Sequence, residues 1–205
     1  MPFEKMKFSQ KLPITHLTRG GTGKTYASAF AMRELGFRRV LFLVHRGQLA
    51  RQTRKSYEKV FANTVSMGLV GAGYHEYEAD YVFATVQTLN RDEHLLQYAK
   101  DAFDCIVLDE AHHVPADTYR KIMDHFTPKL WLGMTATPDK RDDNVEGRNV
   151  YEIFNYQIAY EIRLQQAMEE NLLCPFHYFG ITDLSMIGDE EAARDFNMLT
   201  SDERV

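Results

Sequence analysis

Residues 105–112 read CIVLDEAH, in which an unbroken apolar run at 105–108 is followed by two carboxylates, Asp109 and Glu110. Continuous apolar runs of this length are typical of strands that are covered on both faces of a sheet. Three further runs have the same character, at residues 40–44 (VLFLV), 81–84 (YVFA) and 130–134 (LWLGM). Since open α/β folds bind ligands at the carboxyl ends of their strands, we expect the two acids to lie at a binding site.

Segments with helical periodicity separate these runs, which predicts an α/β fold with a mostly parallel sheet flanked by helices on both faces. We predict helices at residues 25–35, 48–62, 87–100 and 115–126. The first helix has an expected apolar face made of Ala27, Phe30, Ala31 and Leu35. Gly36 follows as its expected end, because glycine readily adopts the left-handed conformation of a C-terminal cap.

The sheet pattern weakens beyond residue 138. We expect one more passage there, of a helix at 150–155, a strand at 157–162 and a helix at 163–170, followed by a strand at 175–182.

The composition is that of a globular protein, with 44% hydrophobic and 26% charged residues. No stretch approaches the roughly 20 apolar residues of a membrane span, and the N-terminus has no apolar leader, so we expect no membrane association. Two distant cysteines, Cys105 and Cys174, favour a reducing, cytoplasmic setting. The net charge of −5 divides into +7 for residues 1–100 and −12 for residues 101–205. Either anions bind the first half or solvated faces differ by chance.

A glycine-rich segment precedes the first predicted helix and consists of Gly21, Thr22, Gly23, Lys24 and Thr25. Glycines let backbone N–H groups wrap phosphate oxygens, and the helix N-terminus adds a partial positive charge. Lys24 can reach the β- and γ-phosphates of a nucleotide, and the Thr25 hydroxyl can hold Mg²⁺. The strict phosphate-loop pattern begins with glycine where this chain has Thr18, so a glycine-rich turn that caps a helix stays open as the alternative.

The acid pair suits the other half of a nucleotide site. Asp109 would hold Mg²⁺, partly through water, and Glu110 would orient or deprotonate an attacking water. An acidic helix N-terminus is the alternative, which the phosphate loop 85 residues upstream makes the weaker one. A metal centre at His112 and His113 is not expected, because adjacent side chains diverge and no partner stands at ligand spacing.

Five ordered segments resemble motifs of superfamily-two helicases of the DEAD/DEAH and type III restriction-subunit kind. They are residues 21–25 (motif I), 44–52 (VHRGQLARQ, motif Ia), 84–89 (ATVQTL, a threonine motif that contacts nucleic acid), 109–112 (DEAH, motif II) and 135–138 (TATP, motif III). The specificity of the resemblance lies in the order of the five matches.

The resemblance implies a RecA-like P-loop domain that binds ATP and Mg²⁺ and acts on nucleic acid, with DNA favoured over RNA. The residues implied in catalysis are Lys24, Asp109, Glu110 and His112, the last through the polar network around the nucleotide. Those implied in binding the nucleic-acid backbone are His45, Arg46, Thr85 and Gln87. Those implied in coupling the two sites are Thr135 and Thr137.

The same resemblance implies a domain layout. Residues 1–18 would be an atypical N-terminal segment, 19–172 a first RecA-like domain, and 173–205 a linker with the start of a second RecA-like domain. The family's second domain carries arginines that reach the γ-phosphate, and such an arginine is worth about 10³–10⁵ in rate. We therefore expect ATP hydrolysis to be very slow until that second domain completes the site.

Two other functions stay open. The chain could be a non-catalytic nucleotide-binding scaffold of a larger nucleic-acid complex, or a P-loop enzyme such as a kinase. A kinase has no use for the threonine motif or the TAT segment. A scaffold need not keep Lys24, Asp109 and Glu110 together.

Overall fold

A computed structural model of the 205-residue chain describes residues 13–18, 23–62, 64–114, 117–136, 150–154 and 156–162. Its strands are β1 (Pro13–Thr18), β2 (Val40–Val44), β3 (Met67–Gly71), β4 (Tyr74–His75), β5 (Tyr81–Thr85), β6 (Cys105–Asp109), β7 (Leu130–Thr135) and β8 (Ile158–Ile162). Its helices are α1 (Lys24–Leu35), α2 (Gly47–Phe61), α3 (Val86–Leu89), α4 (Asp92–Leu95), α5 (Asp117–His125) and α6 (Val150–Ile153), with a 3₁₀ turn at Ala111–His113.

The eight strands form one sheet in the order β4-β3-β5-β2-β6-β7-β1-β8. Every neighbouring pair is parallel except β3 with β4, which form an antiparallel hairpin at the edge. The parallel strands therefore end at one edge of the sheet, where β2, β5, β6 and β7 deliver the predicted site residues.

Alternation along β2 shows how both faces are covered. Phe42 packs with α1 and α2 on one face, whereas Leu41 and Leu43 pack with α3, α4 and α5 on the other. A strand that is apolar on both faces reads as a continuous run, which is why these strands are visible in the sequence. The predicted α/β class, with a mostly parallel sheet between two helical layers, is confirmed.

Three strands have no counterpart in the sequence analysis. β1 lies inside the sheet between β7 and β8, within the segment regarded as atypical. β3 is short and has glycine at its second and last positions, and β4 has two residues, both exposed. None of the three shows the long apolar run that identifies the central strands.

Two helix predictions are wrong in detail. The buried residues of α1 are Ser28, Ala29 and Met32, while the expected core residue Phe30 is 45% exposed. The Arg33 guanidinium lies over the Phe30 ring at 4.9 Å, which shields this ring at the surface. The helix predicted at 87–100 is two four-residue helices, α3 and α4, because the extended backbone of Arg91 interrupts it. Gly36 has the expected left-handed conformation, with φ of 65°.

Several expectations fall outside the described residues. These are the helix at 163–170, the strand at 175–182, the linker and second-domain start at 173–205, and Cys174. Cys105 is a free, buried thiol. Within the described part of the chain, no helix combines the length and the apolar character needed to cross a membrane.

Candidate functional site

The candidate phosphate site begins where α1 begins. Gly23 has φ of 80°, a left-handed conformation that favours glycine, and its carbonyl accepts the first helical hydrogen bond, from Ala27. Within the described residues, no side chain caps this helix and no acid stands in its first turn. The backbone N–H groups of that turn therefore point outward with a partial positive charge, an arrangement suited to an anion.

Lys24 lies beside the acid pair, as the sequence predicts. Its Nζ is 3.6 Å from Glu110 Oε1, and its side chain is only 12% exposed. Asp109 is the last residue of β6, and its Oδ1 accepts a hydrogen bond from the Glu110 N–H at 3.1 Å. One cation and two carboxylates thus meet at the carboxyl edge of the sheet.

The pKa of Asp109 is raised, which means that nearby positive charge does not fully compensate the burial of its carboxylate. Burial raises the pKa of Asp109, and the neighbouring Glu110 raises it further, while Lys24 lowers it without cancelling the effect. A bound divalent cation would favour the ionised form, so Asp109 fits a position beside Mg²⁺.

The directions of the Glu110 and His112 side chains follow from a left-handed backbone at Glu110. Glu110 has φ of 53°, a left-handed conformation that costs an L-residue about 1–2 kcal/mol. His112 then lies with its Nδ1 2.9 Å from Thr135 Oγ1 and 3.3 Å from Glu110 Oε2. The carboxylate of motif II, its histidine and the buried threonine that ends β7 are therefore in contact.

Tyr57 fixes the start of α1 and is a residue that the sequence analysis missed. Its hydroxyl donates to Ser28 Oγ at 2.8 Å, and Ser28 in turn donates to the Thr25 carbonyl at 2.8 Å. Burial raises the pKa of Tyr57 well above its usual value, so it remains a donor. This chain of two bonds holds the turn that carries Lys24 against α2, and 29 residues separate its two side chains.

The candidate nucleic-acid residues lie along the same edge of the sheet. His45 and Arg46 follow β2 and are exposed, and Gln87 is exposed in α3. Gln87 Nε2 lies 3.4 Å from His45 Nδ1, so the structure brings two of the predicted residues together. Arg46 caps α2 with an extended backbone.

Thr85 has a local structural task as well. Its hydroxyl oxygen accepts a hydrogen bond from the Thr88 N–H at 3.1 Å, which caps α3, and its hydroxyl donates to Thr88 Oγ1 at 2.9 Å. Thr88 in turn packs closely against Gly71 of the hairpin. The space between them is too small for a side chain, since a Cβ added to Gly71 would lie 2.5 Å from Thr88 Oγ1. The β3–β4 turn is thus built against the threonine motif.

His113, to which the sequence assigned no role, lies between the two groups. Its ring is 4.1 Å from that of His112 and stacks on that of His45 at 5.1 Å. His113 therefore joins the acid motif to the end of β2, a contact across 68 residues that no local pattern reveals.

Gly21, Thr22 and Thr137 lie outside the described residues, while Thr25 is half-buried in the first turn of α1. Within the described part of the chain, no three His, Cys, Asp or Glu side chains form a metal-binding group. Mg²⁺ usually takes one or two carboxylates and completes its shell with water and phosphate oxygens, so Asp109 fits a site that is shared with a nucleotide.

Comparison with known proteins places the chain in a family. The model of the family described as "Type III restriction enzyme, res subunit" matches residues 6–140. The chain belongs to this family. The match begins before β1, so the strand that the sequence analysis missed is part of the family's domain.

Two curated relatives are assigned as helicases. The ATP-dependent helicase IRC3 of Saccharomyces cerevisiae is 27% identical over 164 residues, which cover 76% of this chain and 22% of that protein. The DNA 3′-5′ helicase Rad25 of Halobacterium salinarum is 36% identical over 126 residues, 60% of this chain and 20% of that protein. The chain spans about a fifth of the length of these relatives.

A solved structure supports the fold. The Type ISP restriction-modification enzyme LlaGI, crystallised as a nuclease-deletion mutant with a DNA substrate mimic, has a TM-score of 0.63 and 20% sequence identity. The alignment covers 80% of this chain and 16% of that one. The expected RecA-like helicase fold is confirmed.

Proposed function

We propose that this chain is the ATP-binding domain of an ATP-dependent nucleic-acid helicase or translocase. It would hydrolyse ATP to ADP and phosphate when a second RecA-like domain completes the site. The proposal rests above all on the 3.6 Å approach of Lys24 to Glu110 at the carboxyl edge of a parallel sheet. A basic group from a helix start lies there beside two acids from a strand end.

The phosphate side of the proposal uses the start of α1. The segment from Gly21 to Thr25 would bind the triphosphate through backbone N–H groups, and Lys24 would neutralise the β- and γ-phosphates. Thr25 and Asp109 would hold Mg²⁺, partly through water, and the metal would supply positive charge as the γ-phosphate leaves. Binding the nucleotide would draw Lys24 from Glu110 toward the phosphates and free that carboxylate.

Glu110 is then the group that accepts a proton from the attacking water or orients it. Its left-handed backbone and the contact with His112 hold the carboxylate in one direction, so little reorganisation is needed during hydrolysis. His112 also contacts Thr135, and Thr135 with Thr137 would carry a change at the γ-phosphate toward the nucleic acid.

Nucleic acid would lie across His45, Arg46, Thr85 and Gln87. These side chains carry donors or positive charge and would contact phosphates without reading sequence, and the Thr85 hydroxyl would turn from Thr88 Oγ1 to the phosphate. We favour DNA, in agreement with the names of the Rad25 relative and the LlaGI complex. We also infer a cytoplasmic location, which agrees with the free thiol of Cys105.

Binding of a fluorescent ATP analogue with Mg²⁺ tests the nucleotide part. Lys24→Ala should weaken binding at least about tenfold, because its charge contacts phosphate in a half-buried site. Lys121→Ala removes a lysine of α5 that pairs with Asp92 and should leave affinity unchanged. Equal affinities for Lys24→Ala and the unaltered chain would refute the proposal.

The scaffold alternative predicts a different result for Glu110→Gln. In a protein that includes the second RecA-like domain, a catalytic Glu110 predicts that this change keeps nucleotide binding and lowers ATP turnover at least about a hundredfold. In a scaffold, turnover would already be at background and the change would have no effect. Competition between single-stranded DNA and RNA of matched sequence decides the nucleic acid, and tighter binding of RNA would overturn our choice of DNA.

A further inference from the structure

The β3–β4 hairpin turns through two residues whose conformation is costly for one of them. Gly71 pairs with Tyr74, and between them Ala72 and Gly73 have φ of 53° and 87°. Positive φ at both central residues matches the right-handed twist of a hairpin, but it is disfavoured for alanine. This tight turn, with its strained alanine, fixes the side-chain directions of the two residues that follow, Tyr74 and His75.

Those two residues contribute nothing to the core. Tyr74 and His75 form the whole of β4, and both are exposed, with Tyr74 at 41%. The backbone of β4 covers the edge of β3, and this pairing does not depend on which side chains β4 carries. Because neighbours on a strand face opposite sides, Tyr74 lines a cavity beside α2, and His75 lines another beside α4.

The cavity beside α2 combines an aromatic ring, a cation and the threonine motif. It has a volume of about 230 Å³, and Tyr74, Arg51, Thr85 and Thr88 are among its lining residues. Within the described residues Arg51 makes no ion pair, whereas Arg54, one turn on, pairs with Glu58 and Glu76. The volume lies below the roughly 300–1,000 Å³ of sites that enclose a whole ligand, so it suits one ring system of a longer molecule.

We propose that this cavity binds one unpaired base of the nucleic acid, with Tyr74 as a stacking platform and Arg51 beside the base. The proposal rests on the proposed function, because the phosphate next to that base would lie at Thr85. Every base has a π-face, so such a platform adds affinity without reading sequence. The hairpin would thus extend the track along the edge of the sheet from phosphate contacts to a base contact.

The cavity on the other face of the hairpin is larger and less suitable. It measures about 570 Å³ and includes Glu93, a negative charge, in its lining. The aromatic side chains that line it already hydrogen-bond to one another, since the Tyr77 hydroxyl lies 2.6 Å from His94 Nδ1 and 3.2 Å from His75 Nδ1. His75 therefore provides a matched control on the same two-residue strand.

The test uses the full 205-residue chain and two probes, a labelled thymidine oligonucleotide and an abasic oligonucleotide of equal length. Tyr74→Ala should weaken binding of the thymidine probe about fivefold or more and leave binding of the abasic probe unchanged. His75→Ala should change neither affinity. Tyr74→Trp should keep the affinity, and the thymidine probe should quench the fluorescence of the new tryptophan. The chain's single native tryptophan, Trp131, is buried and should give a constant background.

Each other result counts against a defined step. If the unaltered chain binds both probes equally, or if Tyr74→Ala weakens both equally or neither, the base contact is wrong while phosphate binding stands. The same holds if His75→Ala acts as strongly as Tyr74→Ala, or if Tyr74→Trp is not quenched. If the unaltered chain binds neither probe, the proposed nucleic-acid function fails and the base contact fails with it.

Discussion

The imidazole of His113 stacks on that of His45 with ring centroids 5.1 Å apart and planes inclined by 23°. His113 also touches His112, whose Nδ1 contacts Glu110, so one side chain links the candidate catalytic acid to the candidate nucleic-acid surface. We predict that His113→Ala weakens the effect of each ligand, nucleotide and nucleic acid, on the affinity for the other, while each still binds. The measurement is the affinity for an ATP analogue with and without saturating single-stranded DNA.

Coupling between two sites is typically about 5- to 150-fold in affinity, and it is reciprocal. His113→Ala should bring that ratio close to one, whereas His113→Phe, which keeps a flat ring, should retain most of it. His75→Ala removes an exposed histidine away from this stack and serves as the control. A ratio unchanged by His113→Ala would show that the stack does not carry the coupling.

The sequence predicted the centre of the sheet because those strands are apolar on both faces. β2, β5, β6 and β7 all carry such runs, and the chemistry at their ends follows from motifs of fixed local spacing. Lys24 and Glu110 were expected at one site for the same reason, and they are in contact.

The remainder depends on contacts that local patterns do not encode. The buried face of α1 includes Ser28, which hydrophobicity alone would place in solvent, because Tyr57 supplies its hydrogen bond from another helix. β4 buries neither side chain and therefore leaves no apolar signal. His113 lies beside His45 because β2 and β6 are neighbours in the sheet, although the two residues are far apart in sequence.

Asp109→Asn should stabilise the fold at neutral pH. An acid whose folded pKa is raised above its unfolded value disfavours folding once it is ionised, so the penalty is present at pH 7 and disappears as pH falls below the ordinary carboxyl range. The asparagine variant should therefore need more urea to unfold at pH 7 and equal amounts near pH 3. It should also lose Mg²⁺-dependent nucleotide binding, a stability–function trade-off. Lower stability at pH 7 would contradict the argument.

Asp104→Asn should have the opposite effect on stability. Burial alone would raise its pKa, but hydrogen bonds from Lys129 and from the backbone of Arg39 and Arg38 hold the pKa of Asp104 below its usual value. Its stabilisation is therefore present above the unfolded carboxyl pKa of about 3.9 and is lost as pH falls through the folded value.

The expected loss at pH 7 is about 1.5–3 kcal/mol, the range for hydrogen bonds to charged groups. The loss should shrink as the pH falls through the lowered folded pKa of Asp104. Urea unfolding at several pH values measures it, and the exposed Asp101→Asn is the control. A loss that persists at low pH would mean that packing, rather than charge, is responsible.

Gly71→Ala should destabilise the protein more than Gly73→Ala. Both glycines have positive φ, of 109° and 87°, but an added Cβ meets Thr88 Oγ1 at 2.5 Å in the first case and nothing within 4 Å in the second. Thr88 cannot turn aside without losing its hydrogen bond to Thr85, so strain and overpacking add for Gly71. We expect a loss of about 2–4 kcal/mol for Gly71→Ala and about 1 kcal/mol for Gly73→Ala in urea unfolding. Equal losses would mean that the hairpin does not press on the threonine motif, because backbone strain alone would then account for both.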